Sequence, residues 1–125
     1  MNIVLTTEEE VEFTNEFEIW WVELDDSTQV AIDTVVRLLE ARGPELPFPY
    51  SSKINGSRHS HMRELRVQHR GEPYRILYAF DPRRVAILLF GANKGGDDRW
   101  YEENVPKADT LYDEHLEELK TEGFL

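Results

Sequence analysis

No cysteine occurs among the 125 residues of this chain, which excludes a disulfide framework, thiol catalysis and any cysteine zinc site. The four histidines show no His-Glu-x-x-His spacing, so neither a catalytic zinc nor another cofactor is expected. Long hydrophobic runs are missing as well. The longest, Val85 to Phe90, is far shorter than the ~20 residues that span a bilayer. Met1-Asn2-Ile3-Val4-Leu5 lacks the basic start and the length of a signal peptide. The expectation is one cytoplasmic, soluble domain over residues 1–125, with no membrane partner.

Positive charge is also scarce, with 14 Lys and Arg against 25 Asp and Glu and a formal net charge of −11. Taken alone this argues against a nucleic-acid partner, because phosphate binding needs a positive footprint. The distribution reverses that conclusion. From Lys53 to Arg99 there are ten basic residues against five acidic ones, so this segment is +5 and the remainder of the chain carries −16. His59, His61 and His69 fall in the same segment. A basic middle wrapped in acidic flanks leaves room for a local anion site.

That middle is built on three runs, Met62 to His69, Tyr74 to Phe80 and Val85 to Phe90, rich in β-branched, aromatic and aliphatic residues. The turns between them, Arg70-Gly71-Glu72-Pro73 and Asp81-Pro82-Arg83-Arg84, make an antiparallel meander. The third run is apolar on both faces and is expected to lie centrally, covered on each side. Strand alternation puts Glu64, Arg66 and Gln68 on one surface and Leu65 and Val67 on the other. In the next strand Tyr74, Ile76, Tyr78 and Phe80 share a face, leaving Arg75 opposite, beside Leu77. An arginine embedded in an apolar strand is expensive to desolvate. It needs an anion, either a carboxylate such as Glu64 or a ligand phosphate.

Ahead of the meander, residues 1–10 read as an edge strand or a terminal extension. Val11-Glu12-Phe13 is a short strand candidate, and Thr14 caps a helix whose Phe13, Phe17, Trp20, Trp21 and Leu24 form an aromatic stripe expected in the core. Asp25-Asp26-Ser27 starts a second helix, with Asp26 and Gln29 spaced as a capping box. Its buried face is Ala31, Val35, Leu38 and Leu39, and Arg42-Gly43-Pro44 ends it. Glu45 to Ser52 is expected to be an extended loop. After the meander, Gly91 to Tyr101 reads as a flexible loop carrying Lys94, Arg99, Trp100 and Tyr101, a favoured place for a site. The Gly-Lys-[Ser/Thr] order of a phosphate-binding P-loop is absent. A last helix opens at Val105-Pro106-Lys107 with an apolar stripe from Ala108 to Leu119; His115 packs on it without a role, and Lys120 to Leu125 fray.

The order strand, helix, helix, meander, helix joins a specific signature. Met62-x-Glu64-Leu65-Arg66 is followed by Gly71-x-x-Tyr74-Arg75-Ile76-x-Tyr78, then by Leu88-Leu89-Phe90-Gly91 and Lys94. Over roughly residues 11 to 121 this resembles the RelE/ParE toxin superfamily of bacterial toxin–antitoxin modules, nearest its HigB-like branch. The resemblance implies an α+β fold, with two N-terminal helices packed on a small, mainly antiparallel twisted sheet and a C-terminal helix. It implies a toxin held by a cognate antitoxin, commonly a helix-turn-helix protein. It further implies a ribosome-dependent, metal-independent endoribonuclease that cuts mRNA by attack of a ribose 2′-hydroxyl on the adjacent phosphate. The alternatives are a ParE-like gyrase inhibitor without chemistry, or a non-catalytic interaction module. Carried over residue by residue, Arg75, Lys94 and Tyr101 match the catalytic positions, while His61, Arg63, Arg66 and Arg99 are candidates for RNA binding. Glu64 stands where the best-known ribosome-dependent nuclease of the family has a lysine.

Overall fold

The computed structural model describes residues 11–125; the expectation for the first ten residues lies outside them. β1 (Val11–Phe13) runs into α1 (Asn15–Val22) and α2 (Asp26–Arg42), followed by β2 (Ser51–Lys53), β3 (Arg63–His69), β4 (Glu72–Phe80), β5 (Ala86–Asn93) and α3 (Trp100–Thr121). The strands form one sheet in the order β1-β5-β4-β3-β2. Only β1 pairs in parallel, with β5; the other pairs are antiparallel.

Thr14 begins α1 because its extended backbone presents Oγ1 to the Phe17 amide at 3.1 Å, satisfying one of the orphan donors of the first turn. The same hydroxyl donates to the Leu89 carbonyl at 2.7 Å, tying the helix start to β5. Asp25, not Asp26, caps α2, accepting from the Thr28 amide at 2.8 Å. Gln29 therefore does not close a capping box. Its amide instead reaches back to the Trp21 carbonyl at 2.8 Å and locks the turn between the two helices. Gly43 ends α2 with φ +58, a left-handed value that suits a residue without Cβ.

The two sheet faces carry different helices. Phe17 and Trp21 of α1 and Ile32, Val36 and Leu39 of α2 pack against Leu65, Ile76, Tyr78 and Leu88. On the other face Trp100, Val105, Ala108 and Tyr112 of α3 cover Leu77, Ala79, Ile87 and Leu89. β5 is thus apolar on both sides because it lies between β1 and β4 with a helix over each face, as its composition predicts. Its register shifts once, Leu77 pairing with Phe90 but Tyr78 with Leu88, so that Leu89 and Phe90 both serve the α3 side. Gly91 then returns to the α1 side, where a Cβ would stand 2.3 Å from the Trp20 ring; only glycine lets that indole approach the strand.

Three elements depart from the sequence-based expectation. Part of the Glu45 to Ser52 loop is β2, which pairs Ser51 with Leu65 and Lys53 with Arg63. The polar run Ser-Ser-Lys has no apolar alternation, and its strand character comes from the neighbour. Helix α3 starts at Trp100 instead of Val105, leaving Pro106 inside it. Trp100 is buried in the core and the Asn104 side chain donates to its carbonyl at 2.9 Å, so packing outweighs the missing amide of proline. Past the helix end the C-terminal residues turn back: the Phe124 amide bonds the Leu119 carbonyl at 2.8 Å, and the Arg83 guanidinium carbon lies 5.3 Å from the Phe124 ring.

The β4–β5 turn carries a buried ionic knot. Asp81 accepts from the Arg83 and Val85 amides, from the Arg83 guanidinium and from His115 Nε2 at 2.9 Å, so His115 does more than fill the helix stripe. Burial pushes the Asp81 carboxyl up, but the bonds from His115, Arg83 and Val85 outweigh it and hold the group below the usual carboxylate value. A depressed native value means that the unfolded chain binds the proton first. The stabilisation is therefore complete above the ordinary carboxylate range and disappears as pH falls through the depressed value. Thermal melts taken across acidic pH should show this decline in the parent protein and a flatter profile in Asp81→Asn.

Candidate functional site

Helix α3 lies on the β4 and β5 part of its sheet face and reaches β3 there through Tyr101 of its first turn. Glu64 and Arg66 from β3 and Arg75 from β4 share that face. Arg66 and Arg75 are directly opposite in the ladder, a placement in which like charges repel. Glu64 resolves the conflict. Its Oε2 accepts from Arg66 Nη1 at 3.1 Å, and its Oε1 lies 3.6 Å from Arg75 Nε. Ser52 Oγ donates to Oε2 at 2.5 Å and the Tyr101 hydroxyl to Oε1 at 2.6 Å. Both Glu64 and Arg75 are buried, at 3% and 6% exposure. One carboxylate thus gathers two guanidiniums, a hydroxyl and a phenol.

Arg75 is not fully satisfied by this arrangement. Its Nη1 donates to the Tyr74 carbonyl at 3.0 Å, while Nε is buried without a hydrogen-bond partner among the described residues. Tyr101 sits in the first turn of α3, edge-on to Trp100 with centroids 5.0 Å apart. Burial, then the neighbouring Glu64 carboxylate, push its phenol above the ordinary tyrosine value, with Arg75 opposing. Tyr101 therefore keeps its proton at neutral pH. Lys94, held by a bond from its amide to the Pro73 carbonyl, places Nζ 5.8 Å from the Tyr101 ring centroid. Among the described residues Lys94 makes no ion pair. The cluster of Arg66, Arg75, Lys94 and Glu64 is net cationic, and a cavity of about 240 Å³ opens beside Glu64 and Tyr101, walled by Lys53, Ile54 and Asn55.

The other sequence candidates lie elsewhere. His61 is on the loop before β3, where Nε2 is 3.2 Å from the Tyr112 hydroxyl and its ring packs against His59 and Tyr112 along the middle of α3. Arg63 has the parity of Leu65, so it belongs to the α2 side of the sheet, where its Nε donates to Ser51 Oγ at 3.0 Å. Arg99 is exposed at the start of α3 and pairs with Glu102 at 3.0 Å. Arg66, Arg75, Lys94 and Tyr101 come together; His61, Arg63 and Arg99 do not join them. Sequence reasoning gave Glu64 only the part of a possible counter-ion and passed over Ser52. The available signal was Glu64 two residues from Arg66 on one strand face, with Arg75 due on the same face of the next. A larger cavity, about 520 Å³, lies between the end of α2 and the β4–β5 turn and contains none of these residues. Among the described residues no group of three or more His, Asp or Glu side chains could hold a metal ion, and no helix is long and apolar enough to cross a membrane.

Two N-terminal helices on one face of a mainly antiparallel five-stranded sheet, with a C-terminal helix on the other, are the RelE-like α+β fold. Within it the chain belongs to the family described as "Phage derived protein Gp49-like (DUF891)", a RelE/HigB-type toxin family whose model matches residues 19–113. Two proteins of Mycobacterium tuberculosis (strain ATCC 25618 / H37Rv) are similar to it. One, named "Putative toxin HigB2", is 40% identical over 103 residues, covering 81% of this chain and 51% of its own. The other, named "Putative toxin HigB3", is 43% identical over 93 residues, covering 74% of this chain and 80% of its own. The chain therefore spans about half the length of the first relative and most of the second.

Proposed function

We propose that this protein is the toxin of a type II toxin–antitoxin module and that it cuts mRNA on the ribosome without a metal, until a cognate antitoxin, of the helix-turn-helix type, covers it. The observation that carries this reading is the cationic cluster of Arg66, Arg75 and Lys94 around a single buried carboxylate and a protonated phenol, beside a cavity of about 240 Å³. The family and the names of the two relatives support the toxin assignment.

The chemistry follows from the residue types. The ribose 2′-oxygen forms a bond to the adjacent phosphorus and the bond from phosphorus to the 5′-oxygen breaks, leaving a cyclic phosphate and a 5′-hydroxyl. Glu64 takes the 2′ proton and Tyr101 gives its proton to the departing 5′-oxygen. The proton on Glu64 then passes to Tyr101 along the 2.6 Å hydrogen bond, which restores both groups. Arg66, Arg75 and Lys94 offset the extra negative charge of the phosphorane, an electrostatic effect favoured by fixed donors in a partly buried site. The acidic flanks leave this face positive in spite of the net charge of −11.

Expressing the chain without an antitoxin and mapping RNA 5′ ends on translated messages tests the proposal. New 5′-hydroxyl ends that depend on translation are expected, together with growth arrest that co-expression of the adjacent helix-turn-helix reading frame relieves. Intact messages and unimpaired translation would overturn it. Filamentation with induced DNA damage, unchanged in Tyr101→Phe, would place the activity on gyrase instead.

A further inference from the structure

β2 pairs with β3 for three residues only. Beyond Leu65 the free edge of β3 is met by the loop carrying Phe48, Pro49 and Tyr50. The Arg66 amide donates to the Tyr50 carbonyl at 2.9 Å and so pins that loop against the strand. Phe48 and Tyr50 are 68% and 42% exposed. A lone exposed aromatic is ordinary, but these two stand beside charged groups of the candidate site. The Arg66 guanidinium carbon lies 5.0 Å from the Phe48 ring centroid while its Nη1 holds Glu64, so one side chain joins the aromatic ring to the cationic cluster. Next to it a cavity of about 340 Å³ at the edge of β3 is lined by Pro49, Tyr50, Arg66, Gln68 and Arg75, with Ala31 and Val35 of α2 and Val67 as its apolar wall. Gln68 is exposed, and its amide makes no hydrogen bond among the described residues.

We propose that Phe48 is a stacking platform for an unpaired nucleobase of single-stranded RNA, with Arg66 and Arg75 on the neighbouring phosphate and Gln68 facing the base edge. The inference rests on the ribonuclease reading and adds a second subsite to it. Two features favour RNA over a protein partner. The aromatic surface continues directly into guanidiniums that already line the cavity, which is how grooves for single strands combine backbone charge with base stacking. The exposed surface is also a pair of rings, Phe48 and Tyr50, with a free amide nearby, and α2 adds only Ala31 and Val35 beside it, less than the row of apolar contacts that a partner helix would need. A duplex does not offer it a base, because the base must be splayed out to stack.

The test uses the full chain and a short RNA whose reacting 2′-hydroxyl is O-methylated, titrated both free and programmed on ribosomes. Phe48→Ala is expected to weaken binding by about 5- to 100-fold, the range for loss of one base-aromatic stack, and Phe48→Trp to restore it. The melting temperature should be unchanged, since the ring is exposed. Equal binding by Phe48→Ala and the parent would overturn the inference while leaving the ribonuclease reading intact. So would Phe48→Ala that keeps RNA and loses the antitoxin, which would assign the platform to a protein contact. Failure of the parent to bind the RNA in either form would overturn the ribonuclease reading and this subsite with it.

Discussion

Tyr101→Phe is expected to lower the rate of message cleavage by about 10²- to 10⁴-fold, the usual contribution of a positioned proton donor, while the protein stays folded. The substitution removes one oxygen and leaves the ring between Trp100 and Lys94 in place. The loss should appear in the maximal rate and not in the half-saturating concentration, because the phenylalanine ring still presents the same face to bound RNA. The phenol is held above the ordinary tyrosine value by burial and by Glu64. Activity that depends on its proton should therefore persist through neutral and mildly alkaline pH, and fall only above the ordinary tyrosine range. Single-turnover rates on programmed ribosomes across that range provide the check. A full rate in Tyr101→Phe would remove the tyrosine from the chemistry and leave only its link to Glu64.

Glu64→Ala is expected to destabilise the fold by about 3–5 kcal/mol, the effect of deleting one partner of a buried ion pair, which is a large part of the ~5–15 kcal/mol that holds a domain together. The reason is local. Arg66 and Arg75 are directly opposite across β3 and β4, and Arg75 is 6% exposed, so neither water nor distance separates the two charges once the carboxylate is gone. Ser52 and Tyr101 would lose their acceptor at the same time. Glu64→Gln keeps the side-chain volume and an acceptor oxygen, and should lose less than the alanine variant. Denaturant melts of the two variants separate the charge from the hydrogen bonds. A loss below about 1 kcal/mol in Glu64→Ala would mean that the pairing behaves as a surface ion pair and that Arg75 finds water in the open state.

These two variants pull on the same carboxylate for different reasons, and together they explain its place in the cluster. A glutamate among arginines reads in the sequence as a weakness for a protein that grips phosphate. In the fold it lets two arginines stand side by side with a charge of one left over, and Lys94 adds another. The lysine that the best-known family nuclease carries at this position would leave the pair without its anion. This chain's solution keeps the arginines ordered by a buried acid and leaves that acid within reach of the phenol.

Much of the fold was legible because its signals are local. Thr14 ahead of an aromatic stripe, Gly43 after a basic last turn, and three apolar runs separated by Gly and Pro turns each act within a few residues, and each element forms where they point. The errors have the opposite character. Ser51 to Lys53 is a strand because β3 offers it partners, and Pro106 lies inside α3 because Trp100 is drawn into the core. Neither of these forces is encoded in the segment itself. For the site, alternation put Glu64 with Arg66 on β3 and set Arg75 apart from the Tyr74 face of β4, with Glu64 as one possible anion for it; the register then joined them, whereas Lys94 and Tyr101 were connected to them only through resemblance.

By itself the sequence determined the alternation of faces in the meander, the aromatic face of α1, the caps and stops of the helices, and the concentration of positive charge between Lys53 and Arg99. It did so because backbone periodicity and capping are short-range effects. The tertiary structure decided which of those cations meet. Ladder register set Arg66 against Arg75, strand parity sent Arg63 to the far face, and the early start of α3 brought the Tyr101 hydroxyl to within 2.6 Å of Glu64. Charges separated by tens of residues have no local preference for one another, so only the packing of sheet and helix could assign them partners.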